Sequence, residues 1–110
     1  MIDHARLDEL RAEIGDDDLG DVVALFLEEA DELIYRLTDG IAPEKLGPEM
    51  HFLKGAALNL GLSDLAALCQ EGERLAGNGE AHRIEVDRVI STYHASRIAF
   101  TSALAKLKAA

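Results

Sequence analysis

The sequence predicts an all-α protein, an antiparallel four-helix bundle with an additional short N-terminal helix. Three observations carry that expectation. Apolar residues recur at three-and-four spacing along most of the chain; aromatic residues make up only 5% of it while Ala, Leu and Glu are abundant; and glycines punctuate the periodic runs. At 110 residues the chain is expected to form a single domain, residues 1–110, large enough to bury a core without staples.

A first helix is read from Ala5 to Ile14 and ended by Gly15. Asp16, Asp17 and Asp18 follow, and negative charge suits the positive end of the next helix dipole. That second helix carries Leu19, Val22, Val23, Phe26, Leu27, Ala30, Leu33, Ile34 and Leu37 on one face and ends at Gly40. A third segment runs from the turn containing Pro43 to about Leu62. Ser63 and Asp64 are good helix-starting residues, and Leu65, Leu68, Cys69, Gly72, Leu75 and Ala76 make one face of a fourth helix. The run Gly77-Asn78-Gly79 breaks it. A last helix is expected from about Ala81, with Val86, Ile90, Tyr93, Arg97, Phe100, Leu104 and Leu107 as its seam and Arg97 snorkelling past its neighbours.

Charge and composition exclude several function classes. A formal charge of -10 repels phosphate backbones and anionic lipid, so neither nucleic acid nor a membrane surface is expected as a partner. The N-terminus lacks the basic flank and apolar run of a signal peptide, and no stretch is apolar enough to span a bilayer. The single cysteine, Cys69, allows no internal disulfide, and the expectation is a cytoplasmic protein with an inert, buried thiol. No Glu-x-x-His motif supports a di-metal carboxylate bundle, and no metal site is expected.

The third segment holds the most informative residues. Winding it at about 100° per residue gathers Leu46, Met50, Leu53, Ala57 and Leu60 on the core side. His51 falls opposite, with Lys54 and Gly55 one turn on and Gly47 one turn back. Glycine inside a helix costs about 0.5–1 kcal/mol relative to alanine, and Gly55 points away from the core, so close approach by a partner explains it better than internal packing. A neutral imidazole is a nucleophile near pH 7. A phosphoryl group accepted there would bring negative charge that a nearby lysine can neutralise. His4 and His82 have no such neighbours, and His94 has Arg97 at i+3 but bulky Ile98 at i+4; all three are read as incidental.

These residues, His51-Phe52-Leu53-Lys54-Gly55, then Asn59-Leu60-Gly61, then Leu65, Leu68, Cys69 and Glu73, resemble the histidine-containing phosphotransfer (HPt) domain. Its pattern is H-x-L-K-G, a glycine ten residues after the histidine, and a Leu/Cys/Glu-bearing helix behind it. The resemblance implies a four-helix bundle with an extra N-terminal helix that shuttles phosphoryl groups between receiver-domain aspartates. His51 would be the phosphoacceptor, Lys54 the stabilising cation, Gly55 the residue that keeps the approach clear, and Gly61 part of the turn between the central helices. No glycine-rich nucleotide loop is present, so the chain is expected to be a carrier and not an enzyme. It would bind no cofactor of its own; Mg²⁺ and most of the catalysis would come from the receiver. Response-regulator receiver domains are the expected partners, a hybrid histidine kinase is a further candidate, and a monomer is expected.

Two positions depart from the family pattern. Gly72 stands where the family usually has leucine, and Pro48 lies three residues before His51. If Gly47 caps the helix and Pro48 opens it, nothing is lost; a helix beginning at Pro43 should kink at Pro48. Leu58 and Leu62, on the histidine side, are read with Gly47 as partner-binding residues, and Phe52 as packing at the core edge. The alternative function is a helical adaptor that binds receivers without transferring phosphoryl groups.

Overall fold

The computed structural model describes residues 1–109. Five α-helices follow one another: α1 (His4–Ile14), α2 (Asp16–Asp39), α3 (Pro43–Leu60), α4 (Ser63–Gly77) and α5 (Val86–Ala109). The four longer helices close a ring in which α2 packs on α3, α3 on α4, α4 on α5, and α5 returns to α2. Short connections make sequential helices antiparallel neighbours. α1 lies against α2 and α3. The core runs through the ring, and Leu33, Met50, Leu53, Leu65 and Phe100 in it have no solvent exposure. Burying each such side chain contributes about 1.5–3 kcal/mol.

Local chemistry sets the helix ends. Asp3 caps α1, its carboxylate accepting from the Arg6 backbone N–H at 3.2 Å. Gly15 and Gly40, both at positive φ, break the chain on either side of α2, whose first turn holds Asp16, Asp17 and Asp18 as expected. Arg11 reaches across the break to Asp16 at 2.6 Å. The third helix begins at Pro43 and runs through Pro48, which has no N–H to return to the Glu44 carbonyl.

The α3–α4 connection is two residues long, and it corrects one expectation. Gly61 adopts the left-handed conformation (φ 76°, ψ 29°). The Leu62 N–H donates to the Ala57 carbonyl at 2.8 Å and the Gly61 N–H to that of Leu58 at 3.3 Å, a Schellman closure. This turn takes the chain off the helical path, so Leu62 is folded back and is only 1% exposed. It is a core residue, not the partner-binding surface residue that continued winding predicts. The N-terminal segment closes over the turn: Ile2 bridges to Leu62, and the Asp3 N–H donates to the Gly61 carbonyl at 2.8 Å.

Two further expectations change. The last helix starts at Val86 and not near Ala81. Residues Ala81–Arg83 form a 3-10 turn, and the chain then extends at Ile84 (ψ 125°), sinking that side chain into the core before the helix begins. Arg97 does more than snorkel. Its guanidinium grips Asp31 of α2 with two bonds of 2.9 Å, and the buried Tyr93 hydroxyl donates to the same carboxylate. Burial alone would raise the Asp31 carboxyl, but the bonds from Arg97 and Tyr93 outweigh it and hold the group below its ordinary range.

Candidate functional site

The residues that α3 presents to the core are those the periodicity selects: Leu46, Met50, Leu53, Ala57 and Leu60 are all buried. Their burial fixes the rotation of the helix and puts His51 on its outer ridge, with a side chain 72% exposed. The helix alone does not orient the ring. Across the α3–α4 groove, Glu73 places Oε2 3.0 Å from His51 Nδ1. A carboxylate can only accept, so Nδ1 carries the proton and donates it, and in the neutral ring Nε2 keeps the free lone pair on the side away from Glu73.

Glu73 is itself held. Its other oxygen, Oε1, lies 2.6 Å from Lys54 Nζ, so one carboxylate bridges the imidazole and the ammonium. Lys54 is therefore brought to the site as the sequence predicts, but in this arrangement its direct partner is Glu73. The Lys54 ammonium holds the Glu73 carboxyl below the usual glutamate range; partial burial acts the other way, and His51 adds to the lowering. The carboxylate is thus charged at neutral pH. A ring held in this way can attack through Nε2, and positive charge that develops on it meets a negative group in contact with Nδ1.

Glycines account for the fit of α3 on α4. A methyl group at Gly72 would lie 2.9 Å from Met50 Cγ and 3.0 Å from its Sδ. Met50 fills the space that a leucine at position 72 would occupy, which explains this departure from the family pattern. A methyl at Gly47 would meet the Ala76 Cβ at 3.1 Å, so Gly47 serves helix packing even though it also borders the surface hollow beside His51. At Gly55 a methyl would meet nothing within 4 Å. That glycine has no packing reason inside the molecule.

His51 stands between two shallow hollows. One, on the α4 side, is lined by Pro43, Glu44, Gly47, Pro48 and Ala76 among others. The other, on the α2 side, is lined by Phe26, Glu29, Phe52, Gly55, Ala56 and Asn59. Leu58 is 58% exposed, as the winding predicts. Phe52 is 49% exposed, which corrects its assignment to the core edge: Ala56, one turn on, takes the buried position and leaves the ring at the surface. The residues that sequence reasoning missed as parts of the site are Glu73 as the group on Nδ1, and Phe26 and Glu29 of α2. The available signal for Glu73 was its place one turn after Cys69, at the border of the buried α4 face.

Cys69 is buried, and burial, with Glu73 adding, pushes its thiol up to about 12, so it stays protonated. Among the described residues no group of three or more His, Cys, Asp or Glu side chains could hold a metal ion, and no helix is long and apolar enough to cross a membrane.

No curated protein and no solved structure matches the chain. The family model of the Hpt domain matches residues 21–110, from the second turn of α2 onwards. Hpt domains are phosphocarrier modules of phosphorelays, not kinases, and they interact with the receiver domains of response regulators. With the model covering most of its length and the helical bundle in place, the chain belongs to the Hpt domain family.

Proposed function

We propose that the chain carries a phosphoryl group on Nε2 of His51, taking it from the aspartyl phosphate of one receiver domain and passing it to the aspartate of another. The observation that carries this reading is the 3.0 Å contact between Glu73 and His51 Nδ1. It sets the tautomer that leaves Nε2 as the nucleophile, on a side chain that is open to solvent.

In the forward step the Nε2 lone pair attacks phosphorus, an N–P bond forms, and the P–O bond to the partner's aspartate breaks, returning that aspartate as a carboxylate. No proton has to leave the ring. Nδ1 keeps its hydrogen, the imidazole becomes cationic, and Glu73 stabilises that charge through the existing hydrogen bond. Reversal regenerates the neutral ring when a second aspartate takes the group. Lys54 holds Glu73 in register and supplies a cation close to the incoming phosphoryl oxygens. Gly55 leaves the approach unobstructed. Mg²⁺ in the receiver would neutralise phosphoryl oxygens during transfer.

The test is incubation with receiver domains labelled by acetyl phosphate. The expected result is an acid-labile, alkali-stable label on the wild-type chain and none on His51→Gln. Labelling that persists in His51→Gln rejects the site, and tight receiver binding with no transfer selects the adaptor reading instead.

A further inference from the structure

Among the described residues the two most exposed large apolar side chains are Tyr35 of α2 and Ile98 of α5, 77% and 73% open to solvent. Neither borders His51 or its hollows. The helices that carry them are aligned at two points: Arg97 grips Asp31, and Lys108 Nζ lies 3.0 Å from where a Cβ at Gly20 would stand. The two points are eleven residues apart on each helix, so α2 and α5 run antiparallel in register. Tyr35 lies one turn beyond Asp31, and Ile98 directly follows Arg97. Both therefore flank the same ion pair on the outer side of this helix pair, with exposed Glu28 and His94 beside them.

The two helices differ in charge. Nine residues of α2 are Asp or Glu and one, Arg36, is basic, and Arg36 is held by Glu49 of α3 at 2.9 Å. α5 carries Arg88, Arg97, Lys106 and Lys108, and its one acidic residue is Asp87. Among the described residues Asp31–Arg97 is the only ion pair that joins α2 to α5. Asp21, Glu28 and Glu32 on α2, and Lys106 and Lys108 on α5, have no partner among them.

A second copy supplies what each helix lacks. Two such faces meet symmetrically in two ways. A twofold axis across the helices lays α2 on α2 and sets like charges face to face. A twofold axis along them lays α2 of one copy on α5 of its partner, twice over, acid against base. Two helices of 24 residues each, ~36 Å long and ~10 Å wide, offer about 700 Å² per copy, close to the ~800 Å² per partner of a stable interface. The formal charge of -10 opposes association at long range, but physiological salt screens it beyond about 8 Å. Contacts at the face decide.

We propose that this face is the interface of a symmetric dimer, in which α2 of each copy lies antiparallel on α5 of the other and Tyr35 and Ile98 are buried between them. A monomer is the expectation from sequence; the exposed pair and the charge pattern give the reason to depart from it. The α3–α4 side of the ring is opposite, so both His51 side chains stay open. The inference does not depend on the phosphotransfer reading; if both hold, one dimer carries two phosphoryl groups.

Sedimentation velocity over a concentration series is expected to show the wild-type chain passing from monomer to dimer. Ile98→Asp, at an exposed position, is expected to keep its helical circular dichroism and weaken the dimer about tenfold or more. Leu58→Asp, on the exposed surface of α3, should leave the dimer unchanged. Oxidative cross-linking reads the symmetry, because the native Cys69 is buried. Mixed Tyr35→Cys and His94→Cys chains are expected to form a disulfide with each other, and Tyr35→Cys alone is expected to form none. A disulfide in Tyr35→Cys alone, or a dimer lost in Leu58→Asp but kept in Ile98→Asp, overturns the proposed face. A monomer at every concentration overturns the dimer and leaves the face to a partner of different sequence. Labelling of His51 on the same samples is read separately, so loss of the dimer and loss of phosphotransfer are told apart.

Discussion

Gly47 and Gly55 stand one turn on either side of His51, and a side chain would meet opposite surroundings at the two. At Gly47 the Ala76 methyl is 3.1 Å from where a Cβ would be; at Gly55 there is open space. The same residue type, at the same distance from the same histidine, thus has two causes. Toward α4, where a shallow hollow also borders His51, α3 is packed and tied: Gly47 admits Ala76, Gly72 admits Met50, and Glu73 fastens His51 to Lys54. At Gly55 no packing contact takes the place of a side chain. A glycine in a helix is evidence for function only after packing has been examined, and of these two only Gly55 is left without a packing contact.

The sharpest way to break this contrast is to cut the tie on the filled side. Glu73→Ala is expected to lower the rate of phosphoryl transfer about tenfold to a hundredfold, the equivalent of the 1.5–3 kcal/mol that a hydrogen bond to a charged group contributes. Helical content should stay the same, and rapid-quench labelling is the measurement. A wild-type rate in Glu73→Ala would mean that the imidazole needs no orienting partner.

Next in size is Gly72→Leu, which restores the residue usual in the family. With Met50 already in the space, over-packing should destabilise the chain by about 1–3 kcal/mol in urea denaturation. The double variant Gly72→Leu with Met50→Ala should recover a large part of that loss. Recovery would show that the two positions exchange volume.

Gly55 should behave in the opposite sense. Gly55→Ala is expected to raise stability by about 0.5–1 kcal/mol, because nothing opposes the gain in helix propensity. Gly55→Gln should keep the fold and slow transfer from a receiver about tenfold, roughly the effect of 1.4 kcal/mol on a barrier. An unchanged rate in Gly55→Gln removes the access explanation of this glycine.

The smallest effect is a pH dependence. Glu73 titrates below the ordinary glutamate value of 4.5 because of Lys54 and His51. Its contribution to stability is therefore fully present above pH 4.5 and is lost as pH falls through its lowered folded value. Glu73→Gln should lack that component, so the stability difference between it and the wild type should shrink on acidification over that window. A difference that is constant from neutral pH to below the window would place the carboxylate outside the native ion pair.

The bundle was readable from the sequence because its signals are local. Gly15 and Gly40 end their helices where the periodicity stops, and the five positions of α3 that the winding assigns to the core are all buried. His51, Lys54 and Gly55 were readable for the same reason, since i, i+3 and i+4 share a face whatever the tertiary structure. What the sequence did not reveal depends on where helices meet. Glu73 lies 22 residues from His51, and no helical period relates positions on two helices joined by a turn. Leu62 was misplaced because the left-handed conformation at Gly61 ends the winding one residue earlier than the apolar pattern does. Arg97 was read as a break in a seam because its partner, Asp31, belongs to a helix on the other side of the core's edge.

The link between α3 and α4 is only Gly61 and Leu62, and its brevity governs more than the turn. Lengthening it by a single residue would spare every helical hydrogen bond, yet it would slide and rotate one rod against the other and carry the carboxylate out of reach of the ring. Under the proposed role, reactivity at the histidine would be metered by loop length, and one inserted codon would silence the site while leaving His51, Lys54 and Glu73 themselves untouched.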